Sequence, residues 1–255
     1  VDPILFEPEE ADQLRKLIES DDFKGQLIQL EHYVAKRAFR KSLLYAESFR
    51  KMYDKKEITD VRVTLLEKKG EENREVSEAY LDLGIHALMM AIQLFRATRS
   101  CKQKLKLELD CEGSCRYQYK PPWYAFWRKS KGTAAEGAIK ISCEGAEPLI
   151  LEFVCGKMCI DEKRLEIFSK SELVDSIDFL SDRDNAHKTM VDALITQKQE
   201  GVFVDIEDAI AASEFIAKEF KRLDWSERTR YSYYYPMGHE RNVLGSNILL
   251  NRKRS

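Results

Sequence analysis

The sequence predicts an α+β domain: a mixed or largely antiparallel open sheet with helices packed on one face. Three observations carry this. Short segments that alternate apolar with polar residues follow one another between Leu105 and Phe168. Apolar stripes at helical spacing precede and follow them. The eleven glycines nowhere form G-x-G-x-x-G, and no P-loop occurs, so a dinucleotide-binding opening is absent.

Taken in order, Pro8-Glu9-Glu10 opens a helix, because proline suits the first turn and the acids suit the positive helix end. Leu14, Leu17 and Ile18 continue its stripe to Ser20. Residues 26–34 read as a strand on the strength of Ile28, Tyr33 and Val34, and residues 36–52 as a basic helix. Ile58–Leu66 is a strand in which Val61, Val63 and Leu65 alternate with Arg62 and Thr64. The longest helix candidate covers 74–97, with Gly84 inside it. Strands follow at 105–109, 139–143, 149–154 and 164–168, with turns at Gly-Ala-Glu-Pro and around Cys155–Lys163. Two helices close the domain, over 184–198 with acids at its start and over 205–223, separated by Gln199-Glu200-Gly201. The expected organisation is one domain over 1–223 and a polar Tyr- and Arg-rich arm over 224–255.

Composition bounds the function. The chain has 255 residues, 44% hydrophobic, with 42 basic against 44 acidic side chains and a net charge of −2. So balanced a charge does not suit a nucleic-acid or anionic-membrane coat, and the apolar content excludes global disorder. No run approaches the ~20 apolar residues that span a bilayer; the richest, Ala87–Phe95, is interrupted by Gln93. The start, VDPILFEPEE, lacks the basic-then-apolar layout of a signal peptide, so the six cysteines read as reduced thiols of a cytoplasmic protein. Val1 stands where an initiating Met would, which reads as a piece of a longer chain.

Two stretches carry chemistry. Asp82 and His86 are four apart on a helix and can touch; a carboxylate beside an imidazole orients it and raises its basicity, as a general base requires. Gly84 between them costs about 1 kcal/mol in a helix interior but admits a close neighbour. The plainer alternative is a helix-surface pair with a packing glycine. The second stretch is Glu31-His32-Tyr33-Val34-Ala35-Lys36, where His32 and Lys36 could bind an anionic or hydroxylated substrate. Alternatively Lys36 is solvated and His32 points into the core.

Together, and in this element order, these stretches resemble the C-terminal substrate domain of the glucose–fructose oxidoreductase/inositol dehydrogenase (Gfo/Idh/MocA) family. Members carry Asp-x-x-x-His on the first long helix of that domain, as AYLDLGIHALMMAIQLF does here. Glu31 to Lys36 is similar to the Asp-His-Tyr-Leu-Gly-Lys motif of glucose-6-phosphate dehydrogenase, and residues 184–220 look like the family's closing helices. The resemblance implies hydride transfer between NAD(P) and a sugar, polyol or sugar phosphate hydroxyl. His86 would take the proton, Asp82 would orient it, and Lys36, His32 and Tyr33 would contact substrate. The family's Rossmann domain and Glu-Lys-Pro motif lie outside this chain, so NAD or NADP would be held only by a missing or partner Rossmann unit, and this chain alone would bind none. The free sheet face pairs subunits in that family, which implies a homo-oligomer.

Weaker signals remain. Cys111, Cys115, Cys155 and Cys159 could hold zinc, but their C-x-x-x-C spacing is one residue too wide and buried thiols are the plainer reading. Pro121–Lys129, rich in Trp and Tyr, could border a pocket or cap the sheet edge. Against the oxidoreductase reading stand a non-catalytic ligand-binding or assembly module of the same fold, and a thiol-bound metal regulator.

Overall fold

A computed structural model describes residues 8–20, 29–52, 57–68, 83–99, 101, 103–120, 133–158, 161–182, 184–196, 203–220 and 226–231. The helices are α1 (Pro8–Glu19), α2 (His32–Ala35), α3 (Arg37–Met52), α4 (Ile85–Arg99), α5 (Ala186–Thr196) and α6 (Ile206–Phe220). The strands are β1 (Gln29–Leu30), β2 (Asp60–Lys68), β3 (Lys106–Lys120), β4 (Thr133–Cys143), β5 (Ala146–Met158), β6 (Glu162–Ser169), β7 (Glu172–Asp178), β8 (Phe203–Val204) and β9 (Ser226–Tyr231).

Seven strands form a mixed open sheet in the order β7-β6-β2-β5-β4-β3-β9, as an α+β architecture requires. β2 runs parallel to β5 and antiparallel to β6, so it is a central strand joined across the sheet rather than a hairpin arm. Its odd residues Val61, Val63 and Leu65 sit opposite Leu151, Phe153 and Cys155, and all six are buried in the main core. Because side chains alternate, the even residues face away: Arg62 pairs with Glu152 and Glu166 at 3.2 and 3.8 Å. One face is therefore apolar and carries helices; part of the other is a charged ladder.

Helix α4 lies against the apolar face and is buried nearly all round, from Ile85 through Phe95. Its C-terminal end is clamped. Arg96 makes 2.6 and 3.0 Å bonds to Asp208 of α6, and Arg99 donates to the carbonyls of Ile58, Glu147 and Pro148 at the starts of β2 and β5. Just beyond, Cys101 and Cys143 form a disulfide, which corrects the expectation of six reduced thiols. It joins positions 42 residues apart, a closure that typically stabilises by about 2–4 kcal/mol.

Several local expectations change. Residues 32–35 are a helical turn rather than part of a strand, because Glu31 caps it. β7 was not anticipated; it follows a turn in which Lys170 and Ser171 both take positive φ, with Lys170 N–H held by the Thr59 hydroxyl. β5 continues through Met158, into residues read as turn. Ser226–Tyr231, within the expected arm, pairs parallel with β3. Asp184 caps α3 instead of its own helix, and Asn185 caps α5. The Pro121–Lys129 loop and Cys159 lie outside the described residues.

Leu88 is fully buried on α4, so Leu88→Ala should lower stability by about 2–5 kcal/mol in urea unfolding. Ile195→Ala, at a residue 75% exposed, should move it by less than about 0.5 kcal/mol.

Candidate active site

Glu31 organises the site. Its backbone is extended (φ −132°, ψ 131°), and one carboxylate oxygen accepts the Val34 N–H at 2.5 Å, capping α2. The other lies 2.5 Å from Nδ1 of His86, one residue into α4. The carboxylate side chain is 1% exposed and the imidazole 7%. A charge this deeply buried is tolerable only when paired and hydrogen-bonded, and here both conditions hold.

Asp82, the expected partner, lies outside the described residues; a carboxylate seen on the imidazole is that of Glu31, 55 positions away in sequence. Sequence reading placed Glu31 in the right motif yet gave it no role. The one available signal was an acidic residue opening an apolar stretch, three positions before Val34, as an N-cap does.

Three other expected residues gather here. Tyr33 stacks edge-on against His86 (5.4 Å between centroids), against Phe179 (5.3 Å) and against His32 (5.2 Å). Burial above all, then Glu67 and Glu31, pushes its phenol far above the ordinary range, so Tyr33 stays protonated. Lys36 ends α2 in an extended conformation and its carbonyl accepts the Arg40 N–H as α3 begins. It is only 9% exposed, and its ammonium makes no hydrogen bond or ion pair with any described residue. A lysine ammonium beside the Glu31–His86 pair is a natural seat for an anion or a hydroxyl oxygen.

His32 is half-buried, with His187 of α5 4.9 Å away. Burial foremost pushes its imidazole down to about 4; Lys36, His187 and His86 act in the same direction and Glu31 opposes them. His32 is thus a neutral donor or acceptor near neutral pH.

Among the described residues no group of three or more His, Cys, Asp or Glu could hold a metal; of the four cysteines weighed as zinc ligands, Cys155 alone has a described side chain. Cys155 is a buried free thiol whose pKa is pushed up by burial. No helix among the described residues is long and apolar enough to cross a membrane.

Breaking the buried pair leaves one charge or dipole stranded, so Glu31→Ala should cost about 3–5 kcal/mol in urea unfolding. For His32, a folded pKa near 4 against 6.5 unfolded means the unfolded chain binds the extra proton. Its contribution to stability is complete above about pH 6.5 and is lost as pH falls toward 4; His32→Gln should flatten that limb, and NMR should show a His32 midpoint near 4.

No family model matches the chain, and no curated protein is similar to it in sequence. Solved structures are similar to it. The glucose-6-phosphate 1-dehydrogenase of Mycobacterium avium is 13% identical over 88% of this chain and 63% of its own, with a TM-score of 0.49. A myo-inositol dehydrogenase of Corynebacterium glutamicum is 12% identical over 72% of this chain and 59% of its own, at 0.41. A 3-ketoreductase of Actinomadura kijaniata, solved with NADP, is 10% identical over 81% and 63%, at 0.42. The chain spans about three fifths of the length of each of these oxidoreductases.

Proposed function

We propose that this chain is the substrate-binding, proton-transfer part of an NAD(P)-dependent oxidoreductase acting on a hydroxyl of a sugar, polyol or sugar phosphate. The observation that carries the reading is the buried Glu31–His86 pair with Lys36 on the same turn as Glu31. Glu31 holds Nδ1, which fixes the tautomer and assigns acid–base work to Nε2. Proton loss from a substrate hydroxyl to Nε2 would create an imidazolium that the Glu31 carboxylate stabilises. Lys36 would hold a substrate oxygen or phosphate, and His32 and Tyr33 would orient the rest.

The dinucleotide itself does not fit this chain. The sequence has no glycine-rich strand-to-helix turn, and Gly145, the one glycine with positive φ among the described residues, lies in the β4–β5 hairpin. NAD(P) would therefore come from a separate nucleotide-binding unit. The charged face of the sheet around Arg62 is the surface through which copies would associate.

A second reading has its own support. His86 is 5% exposed and Glu31 fully buried, which also suits a structural pair inside a non-catalytic ligand-binding or assembly module. Calorimetry with sugars and sugar phosphates shows whether the site binds a ligand, and turnover separates the two readings. Lys36→Met should weaken a sugar phosphate roughly 10- to 100-fold, the usual worth of a charge-assisted hydrogen bond. When a nucleotide-binding unit is supplied, His86→Ala should cut turnover by about 10²–10⁴. Turnover that survives His86→Ala would remove His86 from the acid–base role, and ligand binding without any turnover would leave only the module.

A further inference from the structure

Helix α5 lies over the turn that carries the candidate site, and little apolar surface holds it there. Its buried residues Ala186, Met190 and Ala193 meet Leu30 and Ala35, with Phe203 alongside, in a cluster separate from the main core. Three of those five buried residues are alanines, so the seam is thin. Its outer residues Val191, Leu194 and Ile195 are 52%, 43% and 75% exposed and add nothing to that seam. At its leading end the His187 ring rests on His32. Under this layer Lys36 is 9% exposed.

By contrast, α4 is gripped on every side: by the sheet core, by the Arg96 and Arg99 clamps, and by the Glu31–His86 pair. Elements with few buried contacts open at lower free energy than the core they rest on.

We propose that α5 is an acid-sensitive cover over the His32–Lys36 turn, lifting as a unit to let a ligand reach Lys36 and His86. The ligand's role rests on the function proposed above; the lifting does not. Protons favour the lifted state for a physical reason. The groups facing His32 are Glu31 and Lys36 on its own segment, His187 from α5 and His86 from α4. Lifting α5 removes His187 and readmits water, relieving the burial that holds His32 near 4 and returning it toward 6.5. Whichever state binds the proton more tightly is populated as pH falls.

Hydrogen exchange of the ligand-free chain tests this, so it stands or falls apart from the binding experiment. After correction for intrinsic rates, α5 amides should be protected at least about 100-fold less than α4 amides. Their protection should fall about 20-fold from pH 7 to pH 5, the linkage of one proton moving between 4 and 6.5, while α4 is unchanged. His32→Gln should abolish that pH dependence. Leu194→Gly, at a half-exposed helix position, should lower α5 protection about fourfold and leave α4 alone. Equal protection of α5 and α4, or pH dependence that survives His32→Gln, would overturn the proposal.

Discussion

A buried carboxylate meeting a buried imidazole is the constraint around which the site is arranged. Glu31 can remain at 0% exposure only because one oxygen takes the Val34 N–H and the other meets His86 Nδ1. Each bond does structural work beyond its own energy. The first forces the chain into a helical turn after β1; the second pins that turn to the N-terminal end of α4. With the other end of α4 held by arginines on backbone carbonyls and on Asp208, the imidazole is placed by a rod fixed at both ends.

The sheet supplies the platform. Its apolar side takes α4 through Val61, Val63, Leu65, Leu151 and Phe153, while its other side carries Arg62, Glu152 and Glu166 in a charged row. That division lets one surface specify the core and the other remain polar. The site forms where the turn at 31–36 crosses the start of α4, and α5 is layered outside it on a small core of its own. α4 is held by the core and by its clamps, whereas α5 rests on a few small side chains, the contrast on which the proposed lifting depends.

Much of this was legible from residue patterns. Alternation marked β2 and β4, the 3.6-residue stripe marked α3 and α6, and His86 stood out because the chain has only four histidines. What was misread shares one cause. Tyr33 and Val34 favour strands by propensity, yet a single capping carboxylate outweighed them. The acids at 182–184 suited the helix that follows them, but Asp184 serves the first amide of α3, far off in sequence. Glu31, which meets His86 from another element, carried no role in the local reading. The Cys101–Cys143 bond is likewise a meeting of two segments with no local sign of it.

By itself the sequence determined the local order of the chain: which segments alternate, which wind, and which residues, His86, His32 and Lys36, have side chains suited to proton transfer or anion binding. Those properties depend on near neighbours and on side-chain chemistry, which the linear order contains. Only the tertiary structure decided that Glu31 meets His86, that Lys36 is largely buried, and that α5 packs on the turn between Leu30 and Ala35. Pairing and desolvation are set by which distant surfaces exclude water from one another, and no window along the chain records that.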